Sequence, residues 1–346
     1  MTGVTLLGPW PGTRLHEAQA TLVGELTDLP EGVVGLPPAA QLPARGPWAE
    51  SLARSASLLT ELPVELGPHG WRLADRPGMD LERCRANLRE ELDELAIAAY
   101  GYEGPLVLSV RGPWTLAATL WLARGDRVLS DLGAVRDLVA SLADGLVGLV
   151  ARVRSAVPGA EPVVVLREPQ LPDVLAGTVP TFSGHGRLWS VPVEQATGAL
   201  AEVTAALGAA GARVVAHGGV RFGTRSFGVL TGSGADAVGV AAGPLGSAQW
   251  EQVAGAVERG VGLWFGLPQE KHGRRTDTRA TARRVAGPWT AVGLPAEGLA
   301  DVVVHVETSG TVSGADAQNR RESDVRSALG VARQVAAVLA DTAAGG

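Results

Sequence analysis

Short apolar runs recur along the chain, and most of them stop at a polar residue, a glycine or a proline. This pattern is typical of buried parallel strands, and amphipathic segments that predict helices follow most of the runs. Eight units of strand and helix in a chain of 346 residues predict a closed (β/α)8 TIM barrel with right-handed crossovers. The predicted strands are 4–7, 33–36, 106–110, 162–166, 237–240, 262–266, 301–306 and the run 212–217, which ends at His217.

Between these strands, apolar spacing predicts helices up to residue 26 and over 48–59, 80–99, 134–157, 192–207, 247–259, 278–286 and 322–340. Residues 61–79 are rich in turn formers and predict an irregular excursion over one end of the domain. We expect residues 1–346 to form one barrel domain. An open dinucleotide-binding sheet is excluded because Gly8-Pro9-Trp10-Pro11 replaces the glycine-rich turn that such a sheet needs after its first strand.

Polar residues at the carboxyl ends of the predicted strands are the candidate functional groups, since a parallel barrel carries its working residues there. His217, Glu168 and Arg167 are the candidate catalytic residues. His305 and Glu307 lie two apart on a strand and so share a face. If that face points inward, they form with His217 a two-histidine, one-carboxylate metal site. The alternative is that His305 packs in the barrel wall and Glu307 meets solvent or an arginine.

Arginines and tryptophans near the strand ends are candidate substrate-binding residues. Arg111 and Arg167 suit a carboxylate or phosphate through bidentate contacts, whereas the alternative for Arg167 is a structural ion pair with Glu168. Trp10, Trp48 and Trp114 are candidates for stacking on a flat ring, against the alternative that each packs in the core. Arg45, in the loop QLPARGPW, is a further candidate, as are His305 and Glu307.

Charge and cysteine content exclude several classes of function. A net charge of −6 argues against nucleic acid or a membrane surface as a partner. The N-terminus has no signal-peptide pattern, and Cys84 is the only cysteine, which excludes an internal disulfide and a cysteine-rich metal site and favours a cytosolic location. The cluster 271–275 predicts a solvated loop, with binding of an anionic substrate group as the alternative.

Several segments in this order resemble the cobalamin-independent methionine synthase superfamily, whose barrels are similar to those of uroporphyrinogen decarboxylase. They are LLGPWPGT, LPARGPWAE, LPVELGPHGWRL, SVRGPWTLAATL, VVVLREPQLP, ARVVAHGG and ADVVVHVETSG. The match is to single-barrel forms resembling the catalytic half of that enzyme. It implies a TIM barrel, a folate-like ligand, and methyl transfer from methyl-tetrahydrofolate to homocysteine bound as a thiolate on zinc.

The zinc ligands that the resemblance implies are mostly replaced in this chain. His217 matches the family's histidine, but Gly219 stands at the first cysteine, Ala241 or Ala242 at the acidic ligand, and Thr308 or Gly310 at the second cysteine. The family's Gly-Ser after the first strand is Gly8-Pro9, and its Asp-Glu-Pro is Arg167-Glu168-Pro169.

These replacements predict a divergent relative that does not hold zinc and does not perform the ordinary methyl transfer. We expect it to bind a small molecule at the carboxyl end of the barrel, or to act without catalysis through a protein partner or a homo-oligomer. Two alternatives stay open: a methyl- or alkyltransferase with an altered site, and an enzyme of changed chemistry that uses His217, Glu168 and Arg167.

Overall fold

The structure, a computed structural model, describes residues 1–219, 223–240, 245–267, 277–307 and 321–345. Ten strands lie in these ranges: β1 (Thr2–Leu7), β2 (Val33–Gly35), β3 (Val64–Gly67), β4 (Gly70–Leu73), β5 (Gly104–Arg111), β6 (Ala160–Arg167), β7 (Arg213–His217), β8 (Ala237–Val240), β9 (Gly262–Leu267) and β10 (Val303–Glu307). All eight predicted strands are among them. The other two, β3 and β4, form an antiparallel hairpin inside the predicted excursion 61–79.

Eight strands form one parallel sheet in the order β2-β1-β10-β9-β8-β7-β6-β5. The chain just after β2 joins the two ends of this sheet, because Ala39 donates to the Val107 carbonyl and Val107 donates to the Pro37 carbonyl, both at 2.9 Å. Pro38 is thereby a parallel bridge partner of Val107. The predicted (β/α)8 barrel is confirmed.

Helices surround the barrel. They are α1 (Leu15–Glu25), α2 (Ser51–Ala56), α3 (Met79–Ala98), α4 (Pro113–Thr119), α5 (Leu132–Ala156), α6 (Leu171–Ala176), α7 (Val193–Ala209), α8 (Thr224–Gly232), α9 (Ser247–Glu258), α10 (Thr278–Ala291) and α11 (Glu322–Ala344). The sequence pattern missed α4, α6 and α8. These helices have only 7, 6 and 9 residues, too few to show a clear apolar period. None of the helices in the described ranges has the length and apolar content needed to cross a membrane.

Two apolar layers position the functional end of the barrel. The larger lies between the strands and the helices. The smaller fills the barrel interior and comprises Leu7, Leu36, Val107, Val163, Val165, Val215, Ala237 and Trp264. Side chains alternate faces along a strand, so residues two beyond these also point inward. Arg167 follows Val165 in this way and His217 follows Val215, and polar groups therefore lie on top of the apolar interior at the carboxyl ends of the strands.

Candidate functional site

Three neighbouring strands deliver polar side chains to one level of the barrel interior. Arg111 on β5 is the register partner of Arg167 on β6, and Arg167 is the partner of His217 on β7. His217 in turn pairs with Gly239 on β8. Residues in register on parallel strands point to the same side of the sheet, so the two guanidinium groups and the imidazole share the inner face.

A glycine on β8 gives the His217 imidazole its room. A Cβ at Gly239 would lie 2.1 Å from Cδ2 of His217, closer than any side chain tolerates. The imidazole therefore passes over β8 and meets β10, where the Nε2 atoms of His217 and His305 are 3.2 Å apart. Both histidines are fully buried. The sequence singled out the histidines but not Gly239, whose role depends on strand register.

The hydrogen bonds around His217 fix where its proton lies. The Gly219 amide donates to Nδ1 of His217 at 3.0 Å, so a neutral ring carries its proton on Nε2 and donates it to Nε2 of His305. Burial, with Arg167 and His305 nearby, holds the pKa of His217 well below its usual value. Burial and Arg167 also lower the pKa of His305 to about 3, so both rings are uncharged at neutral pH.

Glu307 connects the histidine pair to the arginines. Its Oε1 pairs with Nη2 of Arg167, and its Oε2 lies 3.9 Å from Nε2 of His217. Both members of the ion pair are buried, with side chains 6% and 4% exposed. The partner of Arg167 is thus Glu307, and the alternative pairing with Glu168 is wrong. Adjacent residues of a strand point to opposite faces, and the Glu168 carboxylate leaves the inner face on which Arg167 lies.

The Glu168 carboxylate caps the start of α4 from the neighbouring strand end. It accepts hydrogen bonds from the amides of Trp114 and Thr115 at 2.9 and 2.7 Å and from the Thr115 hydroxyl at 2.6 Å. A Cβ at Gly112 would lie 2.5 Å from Oε1 of Glu168, so that glycine keeps the path open. Burial raises the pKa of Glu168 to about 7, and the hydrogen bond from Thr115 offsets this in part.

Arg111 is held by two serines of α2. Its Nε donates to the Ser51 hydroxyl at 3.0 Å, and its backbone amide donates to the Ser55 hydroxyl at 2.8 Å. Burial and the neighbouring Arg167 lower its pKa to about 10. Glu168 and Glu307 act in the opposite direction, so Arg111 lies within electrostatic range of Arg167, Glu168 and Glu307. No sequence signal marked Ser51 and Ser55, because their role depends on how α2 docks on β5.

Four other candidates lie away from this layer. The Trp114 ring is fully buried, and its indole nitrogen donates to the Ala196 carbonyl of α7 at 2.9 Å, so it packs between α4 and α7. Trp10 is also buried in the core between strands and helices. Arg45 pairs with Glu90 of α3. Trp48 is a candidate for the same stacking role as Trp10. The guanidinium carbon of Arg83 lies over the Trp48 ring, 4.5 Å from the ring centroid.

The residues present do not fit the zinc thiolate centre that the family resemblance implies. Gly219 is in the left-handed region at φ +72°, and a Cβ there would lie 3.1 Å from Cβ of Pro169, so a cysteine at this position is strained and crowded. The sole cysteine, Cys84, is buried in α3, where burial and Asp80 raise its pKa to about 12. Ala241, Ala242, Thr308, Gly310 and the cluster 271–275 lie outside the described residues.

One group among the described residues has the composition of a different kind of metal site. One ligand atom each from His217, His305 and Glu307 lie within 4.8 Å of one another, and all three side chains are buried. The structure thus brings these three side chains together on the inner face.

The sequence matches no protein-family model and no curated protein. Among solved structures, the chain is similar to D-psicose 3-epimerase in the presence of D-fructose, at 10% identity over 100% of both chains with a TM-score of 0.45. It is also similar to a candidate fructose-1,6-biphosphate aldolase from Coccidioides immitis, at 13% identity over 99% of this chain and 90% of that one with a TM-score of 0.40.

A third similar structure is the IolI protein with a bound zinc atom, at 11% identity over 72% of this chain and 92% of that one with a TM-score of 0.35. Neither a family nor a reaction follows from similarities of this size. What the chain itself establishes is a TIM barrel with a buried polar layer at the carboxyl ends of its strands.

Proposed function

We propose that this protein is a divergent methionine-synthase-like barrel that binds a small anionic molecule at the carboxyl end of its strands. In this proposal it does not transfer a methyl group from methyl-tetrahydrofolate to homocysteine. The observation that carries the proposal is the polar layer in which half-buried Arg111 and buried Arg167, His217, His305 and Glu307 lie together above an apolar interior. Buried charge is costly to maintain, and such clusters in a barrel mouth mark binding sites.

The charge balance of the layer favours an anion. Arg111 and Arg167 are register neighbours, and the Arg167 guanidinium helps to lower the pKa of Arg111. Glu307 neutralises one of them, while Glu168 has a pKa near 7 and carries only part of a charge at neutral pH. A carboxylate or phosphate on the ligand would present oxygens to the planar donors of the two guanidinium groups, which suit such groups.

The absence of sulfur ligands supports the second half of the proposal. Homocysteine becomes a nucleophile as a thiolate, and a metal held by protein thiolates is what the family uses to stabilise that thiolate. Position 219 is a glycine with left-handed backbone, where an added Cβ would crowd Pro169, and the one thiol of the chain is buried in α3. The purified protein, supplied with methyl-tetrahydrofolate and homocysteine, should form no methionine; methionine formation would contradict the proposal.

A second candidate function is proton transfer with changed chemistry, in which His217, Glu168 and Arg167 act on an unidentified substrate. One observation favours it. The pKa of Glu168, about 7, is close to the working pH that an acid or base catalyst needs. Its carboxylate is occupied by the start of α4, however, so this role requires Thr115 to release it.

Ligand binding is tested by thermal shift followed by calorimetry, with inorganic phosphate, citrate, folate and single amino acids as probes. A ligand specific to the native state at 100 times its Kd stabilises that state by about 2.7 kcal/mol. We expect at least one anionic probe to raise the Tm of the wild-type protein. The variant Arg111→Gln should lose this response, and Arg45→Gln, whose side chain pairs with Glu90 elsewhere, should keep it.

Two outcomes would overturn the proposal. One is a wild-type Tm that none of the anionic probes changes. The other is an equal response in Arg111→Gln and in the wild-type protein, which would place the anion outside the polar layer.

A further inference from the structure

We propose that His217, His305 and Glu307 bind one divalent first-row transition-metal ion, in a site that contains no sulfur ligand. The proposal goes beyond anion binding, because it assigns the imidazoles and the carboxylate to a second ligand with its own readout.

The distances between the donor atoms match those around such an ion. Two metal–nitrogen bonds of 2.0–2.1 Å at angles of 90–109° place their nitrogens about 2.8–3.4 Å apart. The Nε2 atoms of His217 and His305 are 3.2 Å apart. Oε2 of Glu307 lies 3.9 Å from Nε2 of His217, so a modest rotation of the carboxylate completes the third contact.

The surroundings prepare the donors for a metal ion. Both imidazoles are fully buried, so a metal ion between them would be shielded from bulk water. Arg167 binds the other oxygen of Glu307 and so holds the carboxylate beside the imidazoles, as outer-shell partners of metal ligands do. Gly239 leaves the space that brings the His217 ring to His305.

The donor set selects the class of ion. Two imidazole nitrogens and one carboxylate oxygen suit Mn²⁺, Fe²⁺, Co²⁺, Ni²⁺ or Zn²⁺, whereas Mg²⁺ and Ca²⁺ prefer oxygen ligands. Three protein ligands leave positions open for water or for a ligand oxygen. A bound anion could then contact Arg111 on β5 and, on its other side, the metal ion held by β7 and β10.

Metal binding has a defined consequence for the proton on His217. That proton occupies Nε2 in the structure, because Nδ1 accepts the Gly219 amide hydrogen bond. A metal ion on Nε2 requires the proton to move to Nδ1, with no net release, and the Gly219 amide must then turn away. Gly219 lies at φ +72°, a conformation from which glycine turns more freely than other residues. We therefore expect metal binding to change the conformation at the end of β7.

The test uses the full-length protein without an affinity tag, stripped with a chelator and titrated with Co²⁺. We expect one Co²⁺ per chain by elemental analysis, a visible d–d absorption band, and faster hydrogen exchange at the Gly219 amide in the loaded protein. His305→Gln and Glu307→Gln should weaken Co²⁺ binding by more than the roughly 10–100-fold that loss of an outer-shell partner costs.

The matched control is His69→Gln, which removes an exposed histidine far from β7 and β10 in the chain. Circular dichroism tests whether each variant is folded. If a variant does not fold, the Co²⁺ stoichiometry and absorption spectrum of the wild-type protein provide the test. The proposal is overturned if the stripped wild-type protein binds no Co²⁺, or if folded His305→Gln keeps the wild-type spectrum and affinity.

The same variants separate this inference from the proposed function. Arg111→Gln should bind Co²⁺ normally while losing its response to anions. A protein that binds Co²⁺ but no anion would refute the proposed function alone, and one that binds an anion but no Co²⁺ would refute the metal site alone.

Discussion

The buried ion pair of Arg167 and Glu307 should show strong energetic coupling in a double-mutant cycle. The variants are Arg167→Met, Glu307→Leu and the double substitution, all studied in metal-free buffer with a chelator. Each single substitution leaves one charge buried without its partner in a layer only 4–6% exposed. Loss of one partner of a buried pair costs about 3–5 kcal/mol, whereas replacing both by apolar groups of similar volume is near neutral or stabilising.

The two single substitutions should differ in size, for a reason visible in the structure. Glu307→Leu leaves Arg167 beside a second guanidinium, that of half-buried Arg111, and the two repel. Arg167→Met leaves the Glu307 carboxylate with Arg111 still within electrostatic range. We therefore expect Glu307→Leu to lie at the upper end of the range and Arg167→Met at the lower end.

Thermal and denaturant unfolding measure the effect. At about 2.1 cal/mol/K per residue, the entropy of unfolding is roughly 0.7 kcal/mol/K for a chain of this length, so a loss of 3–5 kcal/mol lowers the Tm by about 4–7 °C. The control Arg45→Met breaks a pair whose Glu90 is 54% exposed, and it should change stability by no more than about 1 kcal/mol. If the double variant loses as much stability as the two single variants combined, the residues are not coupled and the reasoning fails.

Three further predictions concern single positions. The pKa of Glu168 is about 7 in the folded protein and ordinarily 4.5, so folding takes up a proton at pH values between the two. The free energy of unfolding should therefore fall by roughly 3 kcal/mol as the pH rises from 4.5 to 7. Denaturation midpoints should fall across this pH range in the wild type and change less in Glu168→Gln. Gly239→Ala places a Cβ 2.1 Å from Cδ2 of His217 and should lower the stability of the fold by about 1–3 kcal/mol. The control Gly228→Ala has open space around it in α8 and should not destabilise the protein. Equal melting temperatures for the two variants would refute the packing of His217 over β8. Cys84 should resist a thiol reagent in the native protein and react once per chain after unfolding, because it is buried and its pKa is raised to about 12; rapid native labelling would contradict this placement.

Short-range pattern in the sequence determined the barrel and the level of the site. Short continuous apolar runs predicted all eight barrel strands. Each strand is covered by the barrel interior on one face and by helices on the other, and burial on both faces requires continuous apolar residues. The same pattern placed Arg111, Arg167 and His217 at strand ends, and the two-residue spacing of His305 and Glu307 placed them on one face.

Only the tertiary structure decided which of these groups meet. Arg167 and Glu307 are 140 positions apart, and His217 and His305 are 88 apart, so their contacts depend on closure of the barrel. The sequence suggested an ion pair between Arg167 and Glu168. Adjacent side chains of an extended strand point to opposite faces, however, and Glu168 caps α4 instead. Gly239 carries no pattern of its own in the sequence. Its importance comes from the register of β7 and β8, which places an imidazole where a Cβ would otherwise be.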